Sequence, residues 1–308
     1  MESTWSPQQM DEDLAACLAV EPAFTSPLFR MVHWCCRAEC DALARERHHP
    51  WLVLCLPRSG ASVIRTGGRP LLLDPGCAVL HAPLSGYTTA HPFGCGDRGW
   101  NVAIFPETLG ALGIHETPSA LADRVTAVPG PELMRWRLEL ERWRRDAAGE
   151  PAAVEEATLA LLGKILARLA ATRRPARRPG RADTELDHER VFERARAEIL
   201  RRYREPLRLG ELGRAACASP YHLCRVFKRA SGMSVLQYVN RLRLLAALDA
   251  VAERDVSLTD LAADLGFSSH SHFTQAFRRE LGVTPSELRQ QATGRRITAS
   301  RRILGRTV

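Results

Sequence analysis

Apolar residues change their period along this chain, and the change divides it. From about Leu28 to Pro106 they come in short or alternating runs cut by Gly and Pro, as in Trp51–Leu56, Ala61–Arg65, Leu71–Leu73 before Asp74-Pro75-Gly76, and Trp100–Phe105. Runs of that length between turn formers predict strands, and several in succession predict a small barrel or sandwich. From about Glu132 the period becomes helical. Leu133, Trp136, Leu140 and Trp143 recur at three- and four-residue steps, as do Val154, Leu161, Ile165 and Leu169 after the break at Gly149-Glu150-Pro151. This predicts a helical hairpin whose stripes suit either the barrel or a second subunit.

Thr172–Arg181 is rich in Pro and Arg and has almost nothing to bury, so it is expected to be a mobile tether. The expected organisation is therefore an N-terminal extension (1–26), a strand-rich domain (27–130), the hairpin (131–171), a basic linker (172–188), a helical domain (189–292) and a basic tail (293–308).

The helical domain carries an internal repeat. Leu223, Phe227 and Gly232 match Phe273, Phe277 and Gly282 at an offset of fifty, while Leu209 and Leu212 match Leu258 and Leu261 at forty-nine. Each copy reads as a short helix (Leu209–Ala216; Leu258–Leu265), a tight turn ending in Ser, and a second helix (Pro220–Ala230; His270–Glu280). Ser219 can cap its helix with Pro220 at the first helical position, and Ser268 or Ser269 can cap the other. Gly266 suits a turn at positive φ, and Gly232 and Gly282 fall where helices should stop.

Each second helix is apolar on one face and polar on the other. A helix offering Arg or Gln suits the major groove of DNA, where each can make two hydrogen bonds to one base. The base-reading candidates are Tyr221, Cys224 and Arg225 in the first copy and Ser271, His272 and Gln275 in the second. Lys228 and Arg278 lie one turn further on and suit phosphate, as do Ser219 and Ser269 at the helix starts. A single amphipathic helix with these groups would more often be only a solvated face; the duplication favours the functional reading.

Charge sharpens this picture. Residues 1–172 hold 16 Lys and Arg against 20 Asp and Glu, whereas residues 173–308 hold 27 against 15, so the formal net charge of +8 resides in the C-terminal part. Such a surplus attracts polyanions without reading sequence. With 45% hydrophobic and 25% charged residues the chain has the composition of a folded globular protein. Neither a secretory signal nor an apolar run of the ~20 residues needed for a membrane span is apparent. A cytoplasmic protein with its nine cysteines reduced is the expectation.

Ala218–Lys228 with Gly232, and Leu261–Arg279 with Gly282-Val283-Thr284-Pro285, resemble the AraC/XylS family of bacterial transcription regulators over about Val191 to Gln290. The resemblance implies a seven-helix domain with recognition helices in successive major grooves, joined by a long helix here at Leu236–Val251. It implies base contacts at Tyr221, Arg225, Ser271, His272 and Gln275, and an activator working as a dimer with RNA polymerase. Two departures stand out: Cys217 where the first turn often has Gly, and Gln275 where many members have Arg, the latter implying a different preferred base.

The strand-rich region is similar to the cupin-like sensor domains that precede such DNA-binding units, through Leu73–Gly76, the strand Tyr87–His91 and His91–Asp97. The implied fold class is multidomain α+β, with a cupin-like β-barrel and helical hairpin before an all-α double helix-turn-helix domain. A small-molecule effector is implied; its site is not legible. No cofactor, catalytic residue or metal ligand is expected, since His48, His49, His81 and His91 are scattered. Cys36 and Cys40 resemble half of the zinc site of DNA-alkylation repair proteins, but the partner Cys-x-x-Cys pair is missing. Exposed thiols at Cys35, Cys36 or Cys95 could sense redox state, though buried apolar cysteines are commoner. The rival readings are a cupin-type metal enzyme fused to a DNA-binding module, a cysteine-based alkylation sensor, and an architectural protein that binds DNA without selecting sequence.

Overall fold

A computed structural model of the chain describes residues 18–37, 46–66, 69–93, 96–113, 124–127, 132, 133, 136, 137, 139, 140, 143, 151–171, 182–253 and 256–290. They fall into two compact units, one drawn from 1–127 and 166–172, the other from 128–165 and 173–308. The expected tail, the arginines of the tether up to Arg181, Cys17, Cys40 and Cys95 lie outside the described residues.

The first unit is built from strands. β1 (Leu18–Thr25), β2 (Phe29–Cys36), β3 (Leu52–Ser59), β6 (Cys77–His81), β8 (Asp97–Ile104) and β9 (Arg124–Ala127) form an antiparallel sheet in the order β1-β2-β8-β3-β6-β9. β4 (Ser62–Thr66), β5 (Arg69–Leu73) and β7 (Tyr87–Ala90) form a second, in the order β5-β4-β7. Strand pairing does not close into a barrel among the described residues. The large sheet has two characters. One face carries Phe29, Met31, Leu52, Leu54, Val102 and Ile104, all buried; residues of opposite parity, including Trp34, Cys36, Cys55 and Asp97, project from the other.

β1 occupies residues expected to be an N-terminal extension ahead of the strand-rich domain. Glu21 and Pro22 break its alternation in the sequence, but an edge strand tolerates Pro at a bulge, and the register shifts between Pro22 and Phe24. A short helix α1 (Pro106–Ala111) follows β8.

In the second expected helical segment, α2 (Pro151–Ala171) buries Val154, Leu161, Leu162, Ile165, Leu166 and Leu169. Residues 132, 133, 136, 137, 139, 140 and 143 are helical too, and Trp136 is buried with its Nε1 donating to Thr158 Oγ1 at 3.1 Å. Two helices thus pack where the periodicity predicts a hairpin, and Lys164 pairs with Glu132 across them.

The remaining elements are α3 (Ala182–Arg202), α4 (Leu209–Ala215), α5 (Pro220–Ser231), α6 (Val235–Glu253), α7 (Leu258–Asp264) and α8 (His270–Leu281), with helical backbone again at 285–290. α3 begins inside the stretch expected to be linker. Its buried stripe, Val191, Ala195 and Ile199 at four-residue steps, lies among so many charges that apolar periodicity hides it. It packs on the first copy, where Phe227 meets Phe192 and Tyr238 edge-on at 5.0 and 5.2 Å. α6 is apolar nearly all round and buries Leu242, Leu244, Leu245, Ala247 and Leu248, as a helix central to its domain must.

The duplication holds at the level of single hydrogen bonds. In the first turn Cys217 N donates to Arg214 O and Ala218 N to Gly213 O, and in the second Gly266 N donates to Ala263 O and Phe267 N to Ala262 O. Ser234 and Gln237 cap each other's backbone N–H, as do Thr284 and Glu287 fifty residues on. The turns differ at one point. Gly266 takes φ +74°, but Cys217 takes φ +55° with a side chain that disfavours it. A left-handed L-residue costs roughly 1–2 kcal/mol and the extra unfolded freedom of Gly about 0.5–1. Cys217→Gly is therefore expected to stabilise the chain by up to about 1 kcal/mol, seen as a higher urea midpoint with an unchanged m-value.

Candidate nucleic-acid interface

α5 and α8 are the second helices of the two copies, and each is fixed at both ends. Ser219 Oγ accepts from His222 N at 3.2 Å and Ser269 Oγ from His272 N at 3.1 Å, while Gly232 and Gly282 end the helices at φ +74° and +78°. Ser269, not Ser268, is thus the cap. Inward-facing Leu223, Val226 and Phe227, and Phe273, Ala276 and Phe277, are buried to 3% exposure or less, so neither helix can rotate without losing its core.

That packing turns the other faces to solvent. Tyr221 is 79% exposed, an aromatic ring that none of the described residues covers. Arg225, Ser271, His272 and Gln275 are exposed and Cys224 is half-buried, so the six base-reading candidates lie on two outward faces. Ser219, Lys228, Ser269 and Arg278 are exposed as well. The two serines accept from the helix N–H groups and keep their hydroxyl protons to donate outward. His272 is the most constrained of the set. Its Nδ1 lies 3.2 Å from Ser268 Oγ and its ring stands edge-on to Phe267 at 5.5 Å.

One residue that sequence reasoning missed holds the second turn. Arg243 of α6 is buried, and its guanidinium donates to three backbone carbonyls: Tyr203 at 2.6 Å, Glu205 at 2.8 Å and Gly266 at 2.6 Å. It also lies over the Phe267 ring, 5.7 Å from its centroid. Gly266 cannot carry a side chain there, because a Cβ would come within 2.3 Å of Arg204 O. The loop after α3, the central helix and the second turn are tied at one point.

Two clusters of polar side chains lie in the interior of the described part of the first unit. His81 stacks on Tyr87 at 4.2 Å, and the Tyr87 hydroxyl shares a hydrogen bond with His49 Nε2 at 2.8 Å. Burial above all pulls both histidines down, His81 to about 3 with His49 opposing its charge, His49 to about 4 with Arg47 and His48 adding to the effect. The other group corrects an expectation. His91 is not isolated: it meets Cys36 and Asp97, all three are buried, and their ligating atoms lie within 4.8 Å of one another. Cys36 and Asp97 are direct cross-strand partners on β2 and β8, a juxtaposition that spacing along the chain does not reveal. Cys35 and Cys36 are not in disulfides; Cys36 is buried and Cys35 half-buried.

A family model described as a helix-turn-helix domain matches residues 212–291. The probable transcription factor PqrA of Proteus vulgaris is 34% identical over 89 residues, which are 29% of this chain and 73% of PqrA. The HTH-type transcriptional activator RhaS of Escherichia coli O157:H7 is 39% identical over 72 residues, 23% of this chain and 26% of RhaS. The chain thus spans most of the first relative and about a quarter of the second. Among solved structures, the DNA-binding domain of the global transcriptional factor AdpA, in complex with a target DNA, aligns with 35% of this chain and 96% of its own length, at 28% identity and a TM-score of 0.33.

Proposed function

Since the chain belongs to the AraC/XylS family of DNA-binding transcription regulators, we propose that it selects promoter sequences through α5 and α8 and activates transcription from them. The observation that carries this reading is the pair of capped, core-locked helices whose outward faces hold Tyr221, Cys224 and Arg225 and Ser271, His272 and Gln275. A guanidinium at Arg225 offers two donors to guanine, and Gln275 a donor and an acceptor to adenine. Ser219, Lys228, Ser269 and Arg278 flank these groups and suit phosphate, where they add affinity and register without specificity. Activation is supported by the naming of RhaS as an activator, and implies contact with RNA polymerase.

The N-terminal unit, in this reading, is a cupin-like sensor of a small molecule, supported by two antiparallel sheets with polar groups in the interior. The amphipathic helices within 131–171 suit a homodimer contact, and Thr172–Arg181 a tether to the DNA-binding part. A regulator of this kind works in the cytoplasm, reads double-stranded DNA and needs no catalytic residue; among the described residues no helix is long and apolar enough to cross a membrane.

The test uses a site selected from random duplexes by the full chain. Arg225→Ala is expected to weaken binding to that site by about 1–3 kcal/mol more than binding to random DNA. Equal losses on both would exclude base reading by Arg225, and a wild-type specificity ratio near unity would favour an architectural role. Lys228→Ala is expected to weaken both and to lower the slope of log affinity against log salt by about 0.9. An unchanged slope would contradict a phosphate contact.

A further inference from the structure

We propose that Cys36, His91 and Asp97 form a binding site for a divalent transition-metal ion, best matched by Zn2+. The three side chains come from three strands' ends: Cys36 closes β2, Asp97 opens β8 directly opposite, and His91 follows β7 of the other sheet. They are 5%, 4% and 5% exposed, with ligating atoms within 4.8 Å of one another and His91 Nε2 2.7 Å from Asp97 Oδ1. A thiolate, an imidazole nitrogen and a carboxylate oxygen are the three donor types that zinc accepts. Hard ions such as Mg2+ and Ca2+ want oxygen alone, which this set does not offer. Three protein donors leave one position of a tetrahedral ion for water or a ligand.

The surroundings are tight enough to hold that geometry. A Cβ at Gly96 would come within 2.2 Å of Cys36 O, and one at Gly60 within 2.8 Å of Asp97 Cα, so backbone packs directly around two of the donors. The ion would take the place of the His91–Asp97 hydrogen bond and link the two sheets. Metal occupancy would thereby stiffen the end of the unit where β2, β7 and β8 meet. This inference does not depend on how the helices read DNA.

The experiment titrates the reduced, metal-free full chain with Co2+ and then Zn2+. The expected result is one ion per chain, with a sulfur-to-cobalt charge-transfer band that Zn2+ abolishes. Cys36→Ala is expected to lose the band and to weaken Zn2+ binding by more than the roughly 100-fold that even outer-shell changes can produce. Cys35→Ala is expected to leave both unchanged, because neighbouring strand residues point to opposite faces. Absence of a sulfur-to-metal band in the wild type, or its survival in Cys36→Ala, would overturn the proposal. Should Cys36→Ala fail to fold, alkylation of the wild type decides. Zn2+ is expected to protect Cys36 from a thiol reagent under mild denaturant, and equal labelling with and without Zn2+ would overturn the site.

Discussion

Arg243→Met is expected to destabilise the helical domain by about 3–5 kcal/mol while leaving the N-terminal unit folded. The substitution keeps the apolar stem and removes the guanidinium, so three carbonyls lose their donor: Tyr203, Glu205 and Gly266. A buried polar group left without a partner costs about 1–3 kcal/mol, and partial hydration of these part-buried carbonyls keeps the total below the sum of three. Arg243→Lys is expected to recover less than half of the loss, since one ammonium nitrogen cannot span acceptors placed for a planar fork. Two optical signals follow different parts of the chain. None of the six tryptophans lies beyond Trp143, so tryptophan emission does not report α3 to α8 directly, while helical circular dichroism is dominated by α2 to α8. A variant within 1 kcal/mol of wild type would show that the three hydrogen bonds are replaceable by water.

The same residue is expected to affect DNA binding through the position of α8. With the second turn untied, α8 loses its fixed relation to α6, and affinity for the selected site is expected to fall by about tenfold or more at temperatures where the helices persist. The salt slope should stay that of the wild type, because no phosphate contact has gone. That split separates a positioning residue from Lys228.

What could be read from the chain alone follows from where the physics is local. Caps, left-handed glycines and a four-residue apolar stripe are each decided within one turn, so Ser219, Gly232, Gly282 and one of Ser268 and Ser269 mark the second helices of the two copies before any fold is known. The polar faces of α5 and α8 follow as the complement of Leu223, Phe227, Phe273 and Phe277. The rest required neighbours distant in sequence. Arg243 looks like one more solvated cation until α6 is seen to be buried around it, and then the Tyr203, Glu205 and Gly266 carbonyls explain it. Cys36, His91 and Asp97 share no motif, since the β2–β8 register and the position of β7 bring them together. β1 and the start of α3 were hidden for opposite reasons, one by a Pro that an edge strand accepts, the other by charges along an otherwise regular stripe.

Lowering pH from 6.5 to 5 is expected to remove about 2–4 kcal/mol of stability from the N-terminal unit through His49 and His81, while His91, which despite burial its hydrogen bond to Asp97 keeps protonated when folded, offsets a smaller part. Burial dominates the first two, and the groups that face them worsen the effect. His49 has Arg47 and His48 beside it, and His81 has His49. Tyr87, between the two rings, offers no negative charge in this range because burial pushes its hydroxyl up to about 12. His81 Nδ1 has no hydrogen-bond partner among the described residues, so a second N–H on that ring would be buried unpaired. Both histidines thus have folded pKa values below the ordinary 6.5. As the pH falls through 6.5 the unfolded chain takes up protons that the folded chain refuses, and stability drops; about a pH unit above it neither state is protonated at these rings and the effect vanishes. Each fully refused proton gives a slope of about 1.4 kcal/mol per pH unit. His81 is expected to supply about 2 kcal/mol by pH 5, and His49, being partly exposed, somewhat less. Urea titrations followed by tryptophan emission at pH 7, 6 and 5 measure the slope. His81→Phe, which keeps a ring on Tyr87 but cannot titrate, should flatten it by about half. A wild-type profile level across that window would mean that water or a counter-charge reaches His81.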